Sequence, residues 1–118
     1  MEIAQLLEQI ASNEEEALAL YNLAPETSEK ELIRSFKESG LSSWESNLEL
    51  IEEIYDFDIE GTFKAYMDKL KEYTILRRDT FALILKAIEE DSDVYDEAIA
   101  KNDKEVGQLV EEIEKMNI

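Results

Sequence analysis

The residues best placed to do chemistry in this chain are acidic. Asp56, Asp58 and Glu60 alternate with single residues, Gly61 follows them, and Phe63 lies two places further on. A calcium loop begins this way, with oxygen ligands at alternate positions, a glycine at the sharp bend and an apolar residue soon after it. The second half departs from that pattern. Where the last ligands belong stand Lys64 and Met67, and an ammonium at that ring opposes a cation. The segment therefore reads as an acidic turn in which Asp58 or Thr62 caps the following helix, with Asp56, Asp58 and Glu60 as the metal candidates to be checked.

Basic chemistry is scarcer. Arg77-Arg78 is the sole adjacent basic pair, and planar guanidinium donors there suit an anion or a partner's carboxylate. The competing reading is intramolecular, with both arginines neutralising acidic helices beside them. Glu14 and Arg77 each interrupt an otherwise apolar stripe. They are either an interior pair that fixes helix register or two charges exposed at a groove or a bundle end.

What is missing excludes more. The 118 residues contain no His and no Cys. Histidine general bases, cysteine nucleophiles, disulfides, zinc fingers and Glu-x-x-His di-iron bundles are thereby removed. Phosphate-cradling glycine loops and dinucleotide fingerprints are absent too, so the expectation is a protein without enzymatic activity or cofactor. The 30 acidic against 12 basic residues leave a net charge of −18, which disfavours direct binding of nucleic acid because phosphate recognition needs clustered cations. The longest purely apolar run is Phe81 to Leu85, far short of a membrane span, and the start lacks the basic residues of a secretory signal. A cytoplasmic location with no membrane contact is expected.

Helices must position whatever site exists. One Pro and three Gly punctuate a chain dominated by good helix formers. Leu6, Leu7, Ile10, Ala17, Leu20 and Tyr21 recur at helical spacing, predicting a first helix from about Glu2 to Leu23 that stops before Pro25. Ser28 with Glu31 has capping-box spacing and opens a short helix closed by Gly40 as a left-handed cap. Ser42 with Glu45 repeats that spacing ahead of Trp44, Leu48, Ile51 and Ile54, which predicts a third helix ending near Asp56. The longest helix runs to about Glu90. The last begins near Val94 and Tyr95, and Asn102 with Glu105 marks a second start inside it. The reading is all-α: one domain over 1–118, a bundle of four main helices plus one short helix, with antiparallel neighbours.

Charge divides unevenly over these elements. Residues 59 to 88 carry six basic and four acidic side chains, whereas residues 89 to 118 carry three and eleven. The long helix is complementary to acidic neighbours on either side. A protein-interaction module follows as the leading functional expectation, with an acidic surface for a basic protein partner and homodimerisation through the long helix as a second mode of association. The alternative is an acidic inhibitor or immunity-type protein that mimics nucleic-acid charge or neutralises a basic partner.

Overall fold

The computed structural model describes residues 2–116. Five helices account for most of them: α1 (Ile3–Leu18), α2 (Glu29–Ser35), α3 (Ser42–Tyr55), α4 (Gly61–Glu90) and α5 (Asp96–Lys115). The described residues contain no strand, and none of their helices is long and apolar enough to cross a membrane. The all-α expectation holds.

Local chemistry explains most boundaries. Glu2 and Gln5 form a reciprocal capping box at the start of α1, with the Glu2 N–H donating to Gln5 Oε1 at 2.9 Å. A single tight 3₁₀ turn, Ala19–Asn22, ends that rod before Pro25. Ser28 Oγ accepts from the Glu31 N–H at 3.2 Å and starts α2 as the spacing predicted. At the far end of α4, Asp91 takes the left-handed conformation at φ 48°, one that Asp tolerates better than most side chains. Ser92 N–H then reaches back to the Ala87 carbonyl at 3.1 Å and closes the helix.

Four local expectations are corrected. Gly40 is not a left-handed cap: the chain runs on from α2 through a wide π turn, Phe36–Leu41, directly into α3. Ser42 consequently caps nothing, because its own N–H already donates to the Lys37 carbonyl. Neither Asp58 nor Thr62 caps α4, whose entry is made by extended backbone at Glu60 and by Gly61 at φ 67°. Asn102 and Glu105 do not divide α5, which is continuous, while Val94 and Tyr95 precede it and Val94 is exposed.

The π turn has a packing cause. Phe36, Gly40 and Trp44 recur every four residues, and that repeat overshoots a 3.6-residue turn. The wider turn absorbs the excess and keeps all three buried against α4. There Phe81 is the hub. Its ring centroid lies 5.4 Å from that of Tyr21, 5.3 Å from Phe36 and 5.6 Å from Trp44. Two of these contacts are near-perpendicular edge-to-face pairs, the geometry that ring quadrupoles favour. The Trp44 indole N–H, enclosed by Tyr73 and Phe81, is the buried side-chain donor left without a hydrogen-bond partner among the described residues.

α1 lies on α3, α3 on α4, and α5 on α4. Asn47 locks the first of these seams. Its amide donates to the Ile10 carbonyl at 3.2 Å and accepts from Asn13 at 2.9 Å, so a buried polar group is satisfied across two helices. The shape is elongated, 45 × 28 × 20 Å. Its radius of gyration of 15.4 Å exceeds the roughly 13.5 Å of a compact chain this long. Exposed surface is correspondingly large, at 7443 Å² against about 6,600 Å² for a compact protein of this mass.

Candidate functional site

α5 makes its main contact with α4. α5 carries apolar residues along one side, yet Val106 is its single buried residue. Ile99, Leu109, Val110 and Ile113 are partly covered, the last three at the edge of the core. Because α5 rests on α4 and has few other neighbours, a groove opens along each of its flanks.

The outer groove encloses about 480 Å³ between α4 and α5. Ile75, Leu76 and Leu109 give it an apolar floor. Glu72 and Asp79 stand along the α4 wall, and Glu105, Gln108 and Glu112 along the α5 wall. Lys69, the cation of this groove, is already engaged: its ammonium lies 2.7 Å from Glu112 and 3.8 Å from Glu72. The Glu112 carboxylate holds the Lys69 ammonium above its ordinary pKa. Asp79 has Arg78 Nη2 at 3.2 Å.

The inner groove, about 230 Å³, runs between α1, α4 and α5. Glu14 and Glu114 face it together with Tyr66 and Tyr73. Here the sequence reading of Glu14 and Arg77 meets an intermediary. Tyr73 hydroxyl donates to Glu14 Oε1 at 3.1 Å, and Arg77 Nε donates to the same hydroxyl at 3.2 Å. The Arg77 guanidinium also lies over the Tyr73 ring, 5.4 Å from its centroid. The two charged residues do come together, across a relay that links α1 to α4 through one phenol.

That relay makes a pH prediction. Burial first, and the Glu14 carboxylate second, push the Tyr73 hydroxyl up to about 12, with Arg77 pulling the other way. In the unfolded chain it ionises near pH 10. The group therefore contributes its full stability below about pH 10 and loses it as the pH rises toward about 12, because the unfolded state releases its proton first. Urea unfolding is expected to show a fall of about 2 kcal/mol from this group over that window. Tyr73→Phe should show a shallower alkaline fall than the wild type. Equal slopes would mean that the buried phenol does not carry the effect.

Other candidates stand apart from these grooves. Asp56, Asp58 and Glu60 are exposed at the α3–α4 corner, and the described residues contain no group of three or more carboxylates arranged to hold a metal ion. The structure does not gather the calcium candidates into a shell. Arg77 is taken up by the relay and Arg78 pairs with Asp79, so both have intramolecular partners. Sequence reasoning did not single out Ile75, Leu76, Leu109 or Glu112 as site residues, and it took Glu105 only as a helix-start signal. A clue was available in the charge of residues 89 to 118 combined with their apolar spacing, but it did not say which side of α5 stays open. Comparison with protein-family models, curated proteins and solved structures finds no match to this chain.

Proposed function

We propose that the protein is a non-enzymatic interaction module whose acidic helices capture a basic protein partner. The observation that carries this reading is the position of α5, a strongly amphipathic helix held along one seam, with one buried residue and an acidic exposed surface. Carboxylates there stand beside partly covered apolar side chains, a combination that suits a partner bearing cations around a small apolar patch. The lack of His and Cys supports a binding role over turnover. Net charge of −18 favours rapid encounter with a cationic surface and makes that encounter salt-sensitive.

The test is affinity capture from the native host with the wild-type chain and with a variant in which Glu105, Glu111, Glu112 and Glu114 are all glutamine. A net-basic protein is expected on the wild type, leaving at moderate salt and absent from the variant. Retention that survives high salt and is equal on both chains would contradict the reading. If the captured partner binds nucleic acid and DNA displaces it, the module acts as an inhibitor by charge mimicry.

A further inference from the structure

The outer groove is specific enough to define what enters it, an inference that rests on the interaction-module reading above and sharpens it. We infer that the α4–α5 groove is the docking site for one amphipathic, lysine- or arginine-rich helix of a partner protein. Its apolar side chains would seat on Ile75, Leu76 and Leu109, and its cations would lie against Glu72, Asp79, Glu105 and Glu112.

Shape sets the first limit. Lining residues on α4 extend from Lys69 to Asp79, about 15 Å of helix. Those on α5 run over Glu105, Gln108, Leu109 and Glu112, so the two walls flank a trough rather than a round pocket. A trough of two or three turns with an apolar floor matches helix-in-groove recognition, in which anchors at i, i+3 or i+4, and i+7 enter together.

Charge sets the second limit. Four carboxylates border the trough; Lys69 pairs with Glu112 and Glu72 and Arg78 with Asp79, which leaves Glu105 without an ion pair among the described residues and the rim net negative. An acidic or neutral helix would bring apolar anchors without satisfying the rim, and like charges brought together across an interface are costly. A second copy of this chain is a poor occupant for the same reason, since it carries −18 of its own. Its basic stripe Lys30, Arg34 and Lys37 belongs to a stretch whose apolar residues Leu32, Ile33 and Phe36 pack in or against the core, and Lys64, Lys71 and Arg78 on α4 have carboxylate partners of their own. Lys37 is moreover paired with Glu89 at 3.4 Å.

The experiment uses the full chain and a panel of synthetic helices with leucine at i, i+3, i+4 and i+7. One series is flanked by lysine and arginine, one by glutamate, and one keeps the cations but replaces leucine with serine. Backbone amide shifts are followed by NMR, and affinity by calorimetry. The cationic, leucine-bearing series is expected to bind, with shifts confined to residues 69–79 and 105–112, while the other two series bind at least about tenfold more weakly. Glu72→Lys combined with Glu105→Lys, both outside the core, should weaken binding about tenfold with the thermal midpoint nearly unchanged. Equal binding of the glutamate series, or no effect of the double reversal, would overturn the assignment. Binding of the cationic series with shifts on α1 or α3 would overturn the groove and leave the module reading intact. Failure of every cationic helix, joined to an empty host capture, would remove both. Concentration-dependent broadening of the same resonances without any peptide would give the groove to a second copy, again overturning the proposal.

Discussion

Phe81→Ala is expected to lower stability by about 4 kcal/mol, within the 3–5 kcal/mol typical of emptying a large aromatic site. Phe81 is fully buried, and Tyr21, Phe36 and Trp44 all place their rings against it. Deleting the ring therefore leaves a void facing three aromatic walls from different parts of the chain, and rigid rings cannot collapse to fill it. Each lost edge-to-face contact adds roughly 0.5–1.5 kcal/mol beyond area alone, and for that reason the upper half of the range is expected. Small domains have only about 5–15 kcal/mol in total, and the thermal midpoint should fall by roughly 15 °C. Urea unfolding checks this through a lower midpoint with an unchanged slope. A loss below about 1 kcal/mol would show that the four rings do not form the structural centre.

Gly40→Leu is the second large effect, at about 3 kcal/mol, and it acts by excess rather than deficit. A β-carbon at Gly40 would lie 2.8 Å from Phe81 Cδ2 and 3.1 Å from Leu20 Cδ1. Phe81 cannot yield, because the other three rings fix it. The better helix propensity of leucine returns less than about 1 kcal/mol, so the clash decides the sign. Gly107 gives the internal control. It also sits inside a helix, but nothing lies within 4 Å of an added β-carbon there. Gly107→Ala should accordingly raise stability by about 0.5–1 kcal/mol. Opposite signs at the two glycines are the expected outcome of thermal melts on the pair, and a stabilised Gly40→Leu would contradict the close approach of the π turn to α4.

How much of this was legible in the sequence depended on whether the cause was local. The Ser28 cap, the stop before Pro25 and the end of α4 near Glu90 depend on neighbouring residues, and spacing alone reveals them. Gly40 was misread because its reason lies in Phe81, far along the chain, and a glycine needed for close approach looks the same in sequence as one needed for a left-handed cap. Ser42 with Glu45, and Asn102 with Glu105, have capping-box spacing without a helix start to cap, since backbone continuity overrides that local option. The Glu14 and Arg77 anomalies were visible as breaks in apolar stripes, but the phenol joining them was not, because Tyr73 by its spacing belonged to the core. The outer groove was illegible for a related reason. A period of 3.6 says which side of α5 is apolar and cannot say how much of that side α4 covers.

An acidic rim and an apolar floor are proposed to act together in one groove. The salt dependence of affinity for a cationic amphipathic helix, measured by calorimetry from about 50 mM to about 300 mM salt, tests that most directly. Binding is predicted to weaken several-fold over this range yet remain detectable, because screening removes the rim's contribution and leaves the floor's. An affinity that is unchanged or that rises with salt would contradict the account.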